Sequence, residues 1–308
     1  MRAVIVGAAM AALVLAGAGT AQAQGGGTDY SKIEIKTTKV GGNLSMLEGV
    51  GGNMGGNISV LTGPDGAFVV DAAFAPLSEK ILAAIKAIQP DGRIRFVVNT
   101  HVHGDHTGGN DNMTKAGATL LARENLRMRL AKPAAGASGQ TPPPPPAGAL
   151  AVLTFDALTL VHMNGEDVQL IPVPKAHTDG DTMVYFPAEN ALAVGDFYRS
   201  VGHPNIDRNN GGSVDGMLAG FDAIAKVGGP DLKVIPGHGP IVGKAEVAAH
   251  KAIMVAVRDK IAALVKAGKT QEEVVAAKPS AEFDAKVAGG TQMTADRMVT
   301  QLYQELKK

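Results

Sequence analysis

Three imidazoles and a carboxylate fall within six residues in His101-Val102-His103-Gly104-Asp105-His106, and the whole chain has only eight histidines. Histidines at i and i+2 on an extended segment point the same way, so His101 and His103 can reach one cation. Gly104 is read as letting the chain turn, which directs Asp105 and His106 toward a neighbouring position. A zinc that does chemistry needs about three protein ligands and one open coordination position. Other residues of the right type are His177, in Pro174-Lys175-Ala176-His177-Thr178-Asp179-Gly180-Asp181, Asp196, in Ala193-Val194-Gly195-Asp196, and His238, in Pro236-Gly237-His238-Gly239-Pro240. Each follows an apolar stretch that reads as a strand and has glycine close by. Alone, each would be an ordinary turn residue. Beside the first motif, and in this order, the ligand reading prevails.

The elements that must position these side chains follow from apolar periodicity. Strands are expected over residues 32–40, 44–47, Ile58–Leu61, Ala67–Val70, 94–99, 120–122, 158–163, 168–173, Thr182–Phe186, 191–194 and 233–235. Helices are expected over Ser78–Ile88, 123–132, 214–227, 245–266, 271–277 and 295–306. Asn164-Gly165 is a hairpin signal between two of the strands. Residues 142–146 are five consecutive prolines, which can join neither a helix nor a sheet interior, so an extended surface loop is expected there. Strands dominate each half before helices intervene. The expected fold class is therefore α/β, a four-layer αββα sandwich of two mixed sheets with helices outside, filling residues 28–308.

Residues 1–23 read as an address. Met1 and Arg2 give a positive start, an apolar and small-residue run follows to Ala18, and Ala21-Gln22-Ala23 is a small-x-small cleavage pattern. Cleavage after Ala23 would send the protein to the periplasm or the medium, with no membrane segment left. The chain balances 29 basic against 29 acidic residues, which argues against nucleic acid as a partner and leaves a small-molecule substrate. There is no cysteine, which excludes structural disulfides, a lipid-modified cysteine and any thiolate chemistry. Metal ligands must be His, Asp or Glu, which suits zinc, with iron or manganese as alternatives.

The series His-x-His-x-Asp-His, a distant His, Gly-Asp and Gly-His-Gly resembles the metallo-β-lactamase superfamily over about residues 41–239. The resemblance implies a first metal on His101, His103 and His177, and a second on Asp105, His106 and His238. It implies that Asp196 bridges both, and that Asp71 supports the site without touching metal. A bridging aspartate is characteristic of the hydroxyacylglutathione-hydrolase-like and lactonase-like branches. The cysteine-containing β-lactamases need a thiolate this chain lacks, and the His-only class usually has a non-bridging residue where Asp196 stands. The segment 177–186, continuing through Asp196-Phe197-Tyr198 to Asn209-Asn210-Gly211-Gly212-Ser213, is similar to a secreted or periplasmic branch often labelled as "cyclases". For that branch the superfamily name does not settle the substrate.

The expected chemistry is hydrolysis by two zinc ions per chain. Two cations roughly 3.5–4 Å apart lower the pKa of a shared water from about 15.7 toward neutrality. The bridging hydroxide then attacks the carbonyl of an ester, lactone, thioester or lactam, and Asp105 orients it as the catalytic carboxylate. Thr100, Thr178 and Asp179 are candidate partners of the imidazole N–H groups. Tyr198, His203, Asn209 and Asn210, with Ser213, are candidate substrate contacts. The glycine-rich tip at residues 49–57 is a candidate mobile lid, and it lacks the Lys-Ser/Thr of a phosphate-binding loop. His162 and His250 are expected to be structural or exposed. Three alternatives stand beside this reading: a true β-lactamase, a mononuclear iron sulfur-dioxygenase of the same fold, and a non-catalytic periplasmic metal-binding protein.

Overall fold

The computed structural model describes residues 28–133 and 141–307, so the expected signal peptide lies outside the described residues. Among the described residues, twelve strands form two sheets. The first runs β1 (Glu34–Gly41), β2 (Leu44–Val50), β3 (Ile58–Leu61), β4 (Ala67–Val70), β5 (Ile94–Val98), β6 (Thr119–Arg123) and β7 (Leu153–Phe155), in that spatial order. The second comprises β8 (Thr159–Met163), β9 (Glu166–Pro172), β10 (Thr182–Phe186), β11 (Ala191–Gly195) and β12 (Lys233–Pro236), ordered β12-β11-β10-β9-β8. Each sheet begins as an antiparallel meander and turns parallel where helices cross over, from β4 to β7 and from β11 to β12. Two-sided burial explains the sequences of these strands. β4 (AFVV) and β11 (ALAVG) are buried throughout because one face meets the other sheet and the opposite face meets helices.

Phe68, Val98, Leu170, Phe186 and Ile235 fill the space between the sheets. Outside the first sheet lie α1 (Ser78–Ile88), α2 (Gly104–Thr107), α3 (Asn110–Lys115) and α4 (Glu124–Ala131). Ile81 and Ile85, four apart on α1, bury against Val97 and Leu120 of that sheet. Outside the second sheet lie α5 (Val214–Lys226), α6 (Lys244–Lys266), α7 (Gln271–Ala276), α8 (Ala281–Asp284) and α9 (Gln292–Leu306). Phe221, Met254 and Leu302 from these helices close over Val194 and Val234. Helix α9 starts three residues earlier than expected because the Thr291 hydroxyl accepts the N–H of Thr294 and caps it. Helices α2, α3 and α8 and strand β7 were not foreseen; all are short. Residues 141–146 have no regular secondary structure, as five prolines require. No helix among the described residues is long and apolar enough to cross a membrane.

Candidate metal centre

The candidate residues stand where strands end. Asp71 follows β4, the His101–His106 motif follows β5, His177 follows β9, Asp196 follows β11 and His238 follows β12. Both sheets turn these ends to the same edge and are tied together there. The Thr182 N–H donates to Thr100 O at 2.8 Å, and Asn57 N–H, just before β3, donates to Gly237 O at 2.7 Å. Gly195 has φ +59, and a Cβ there would stand 2.6 Å from Thr100 Oγ1, so only glycine lets β11 pass so close to the first sheet.

Two ligand groups result. One donor atom from each of His101, His103 and His177 lies within 4.8 Å of the others, and the same holds for Asp105, His106, Asp196 and His238. In the second group His106 Nε2 and His238 Nε2 are 3.4 Å apart, and each is 3.3 Å from Asp196 Oδ1. Ligands bound at about 2.0–2.1 Å to one tetrahedral zinc stand about 3.3–3.4 Å from each other, so these separations fit one cation. Asp196 Oδ2 looks the other way, 4.0 Å from His177 Nε2. His101 Nε2 and Asp196 Oδ1 are buried with no hydrogen-bond partner, the state of a lone pair reserved for a metal. Asp105 Oδ2 completes the group at 3.2 Å from His238 Nε2.

The remaining ring nitrogens show how the lone pairs are aimed. Thr100 donates from Oγ1 to Asp71 Oδ2 at 2.7 Å, so its oxygen accepts from His101 Nδ1 at 3.1 Å. Asp71 Oδ2 accepts from His106 Nδ1 at 2.7 Å. The carbonyl of Asn205 accepts from His177 Nδ1 at 2.6 Å, and Asp207 Oδ2 accepts from His103 Nε2 at 2.7 Å. Each bond puts the proton on the outer nitrogen and leaves the inner one free. Asp71 therefore does what the resemblance implied, and Thr100 does what the sequence suggested. Thr178 and Asp179 do not: Thr178 donates to Asp181, and Asp179 pairs with Arg129. Asn205 and Asp207 take the expected roles instead. They come from a distant polar loop, and nothing in their local sequence pairs them with His177 or His103.

Electrostatics divides the two groups. Burial, reinforced by the neighbouring imidazoles, holds His101 well below the usual histidine range. Burial and then His103 push His177 down to about 4. Burial also opposes protonation of His106 and His238, but nearby carboxylates outweigh it and raise both: Asp71, Asp105 and Asp196 for His106, Asp196 and Asp105 for His238. Burial opposes ionisation of Asp196, yet His238 and His106 pull it well below the carboxylate range.

Residues 51–239 match the family model of the metallo-beta-lactamase superfamily. The chain belongs to the metallo-beta-lactamase superfamily. Among solved structures, a metallo-beta-lactamase from Pontibacter korlensis aligns with TM-score 0.58 and 18% identity, covering 72% of this chain and 99% of its own. The DIM-1 metallo-beta-lactamase aligns with TM-score 0.56 and 20% identity, covering 72% and 98%. The stereoselective inverting sec-alkylsulfatase Pisa1 from Pseudomonas sp. aligns with TM-score 0.63 and 18% identity over 88% of this chain, which spans 50% of that protein. No curated protein matches the chain.

The superfamily frame leaves several residues to be reassigned. Tyr198 is buried in the helix-side core, edge-on to Phe221 and His250, so it is not a substrate contact. His203 is buried and bonded to Thr294 Oγ1 at 2.9 Å and Asp284 Oδ1 at 3.0 Å, which makes it a strut for the C-terminal helices. Asn209 is exposed and offers its carbonyl to Arg129, Asn210 donates to Asp207 Oδ2 at 2.7 Å, and Ser213 caps α5. Asn210 and Ser213 therefore serve the scaffold, while the Asn209 side chain stays exposed. His162 is exposed beside Asp167, as expected, and His250 packs in the core.

Two glycine readings also change. Within the tip at 49–57, residues 50–53 are exposed, while 54–57 form a packed bridge: Met54 is buried, Gly56 N–H donates to Asp105 O at 2.9 Å, and Asn57 N–H donates to Gly237 O at 2.7 Å. Gly56 lies flat on His106, where a Cβ would overlap Cε1 and stand 2.6 Å from Nδ1. Gly104 opens α2 with φ outside the left-handed region and open space around it, so the turn does not depend on its being glycine.

Proposed function

We propose that this chain is a dinuclear zinc hydrolase acting on carbonyl substrates: esters, lactones, thioesters or lactams. His101, His103 and His177 hold the first zinc, Asp105, His106 and His238 the second, and Asp196 joins them. The reading rests most on Asp196, whose Oδ1 stands 3.3 Å from two histidines of one group while Oδ2 turns toward the other. The zinc pair, when bound, would bring the ionisation of a shared water toward neutrality and polarise the substrate carbonyl. The protein supplies the rest. Asp71, Thr100, Asn205 and Asp207 hold four imidazoles in the tautomers that face inward. Asp105 keeps one oxygen toward His238 and with the other accepts a hydrogen bond from the attacking water, fixing its approach. After removal of the leader, we place the protein in the periplasm or the medium, acting on a small molecule and binding neither nucleic acid nor membrane.

The test is a metal count on protein purified without a polyhistidine tag, with His103→Ala alongside. About two zinc ions per wild-type chain and a clear deficit in the variant are expected; equal counts would remove His103 from the site. One iron and no zinc would replace the hydrolase with an oxygenase. A substrate panel follows, with a sulfate ester included because the alkylsulfatase alignment covers 88% of this chain. Fast turnover of a chromogenic cephalosporin would make the enzyme a β-lactamase. No turnover of any member would leave a metal-binding protein.

A further inference from the structure

Helix α9 lies beyond the family-matched residues 51–239, yet it grips the loop that supports the first ligand group. Its apolar face, with Met298, Val299 and Leu302, is buried in the core outside the second sheet. Polar residues flanking that face reach the loop after Asp196. Thr294 Oγ1 stands 2.9 Å from His203 Nδ1, and Glu305 accepts from the Val214 N–H at 3.0 Å. Between them Gln301 makes two bonds. Its Oε1 accepts from the Ile206 N–H at 3.0 Å, and its Nε2 donates to Asn205 Oδ1 at 2.9 Å. Positions 294, 301 and 305 are spaced by two turns and then one, so these contacts share one side of the helix.

The peptide that Gln301 holds is the one that orients a ligand. The Ile206 N–H and the Asn205 C=O belong to a single planar unit, so turning either group turns both. That carbonyl accepts from His177 Nδ1 at 2.6 Å. Gln301 and His177 therefore sit at opposite ends of one rigid plate. Ile206 is fully buried, so an N–H released by Gln301 would have to seek a new partner. Any rotation that found one would draw the carbonyl away from the imidazole. A bond accepted at the N–H end also polarises the carbonyl and strengthens its hold on His177.

We propose that Gln301 is a positioning residue of the metal centre: through the Asn205–Ile206 peptide it keeps the His177 proton on Nδ1 and the Nε2 lone pair aimed inward. The C-terminal helix thereby tunes the His101–His103–His177 group and leaves the Asp105–His106–Asp196–His238 group alone. The effect on zinc rests on the proposed dinuclear centre; the effect on the imidazole does not.

The experiment uses the full chain in two measurements. Nitrogen-15 NMR of the metal-free protein reads the His177 tautomer, and zinc titration against a chromophoric chelator reads the two binding steps. Gln301→Met fills the same space without an acceptor. Gln301→Glu keeps an acceptor for the Ile206 N–H, and the Asn205 amide can turn its NH2 toward it. The control is Gln304→Met on the same helix, since Gln304 bonds Arg208 and Gln271 and not the Asn205–Ile206 peptide. Gln301→Met is expected to mix the His177 tautomers and to weaken the step that fills the His177 group about three- to ten-fold. The other step should change by less than about twofold. Gln301→Glu should restore most of the loss, and Gln304→Met should match the wild type in both measurements. Should Gln301→Met fail to fold, Gln301→Asn, one methylene too short to reach, takes its place. An unchanged tautomer or first step in Gln301→Met overturns the inference. So do equal losses in both steps, a Gln301→Glu protein as weak as Gln301→Met, or an equal effect of Gln304→Met. A wild type that takes up no zinc, while the tautomer still shifts in Gln301→Met, would defeat the dinuclear reading and leave the role of Gln301 at His177 standing.

Discussion

Replacing Gly56 by alanine places a methyl group inside the space of the His106 ring, with 2.6 Å to Nδ1 and 2.7 Å to Nε2. His106 is completely buried, so it cannot swing into solvent. Either the ring moves or the bridge moves. Movement of the ring strains its 2.7 Å bond to Asp71, a charge-assisted contact worth about 1.5–3 kcal/mol. Movement of the bridge loses the bonds from Gly56 to Asp105 and from Asn57 to Gly237, about 1 kcal/mol each. Overpacking adds roughly 1–3 kcal/mol in both cases. The metal-free fold should therefore lose about 3–6 kcal/mol, and zinc should bind the His106 group some ten- to a hundred-fold more weakly. Thermal unfolding of metal-free protein and zinc titration against a chromophoric chelator measure the two effects. Gly104→Ala, into open space, is the control. If Gly56→Ala keeps wild-type zinc affinity within about threefold and its thermal midpoint within about 2 °C, the packing of this bridge on His106 has been misjudged.

Asp71→Asn keeps a residue that tolerates φ 68 but removes the charge facing His106; zinc affinity of that group should drop about ten- to a hundred-fold, and a wild-type value would show that the charge is idle. Asp207→Ala should produce a comparable loss confined to the His101–His103–His177 group, read from which of two sequential zinc-binding steps weakens. Acidification should empty the groups in order. Protons compete with zinc where histidines are raised, at His106 and His238, and far less at His101 or at His177, which is pushed down to about 4. Zinc content after equilibration at stepwise lower pH should fall first toward one per chain, and a single concerted loss would contradict the division.

Long, regular elements were legible from sequence. Ile81, Leu82, Ile85 and Ile88 repeat at helical spacing, and α1 spans Ser78–Ile88 as expected. The metal motif was legible because ligands are few, distinctive and placed at strand ends. Short elements were not: α3 (NDNMTK) has a single buried apolar residue, Met113, and β7 is an edge strand of three residues of which only Phe155 is buried. The substrate-contact candidates failed for another reason. Tyr198 and His203 follow Asp196 closely in sequence, but the chain turns them into the core and onto the C-terminal helices. Conversely, Asp207 reaches His103 across 104 positions of sequence, a pairing that only the folded loop reveals.

The ligand groups draw on both halves of the sandwich: the His101–His106 motif on the first sheet, and His177, Asp196 and His238 on the second. Neither half of the polypeptide carries either ligand group complete. Cation uptake must then wait until the sheets have docked, making it a late event in maturation and a reporter of global assembly. Chelation, in turn, would remove a rivet across the seam, and the two halves should lose cooperativity before either loses its secondary structure.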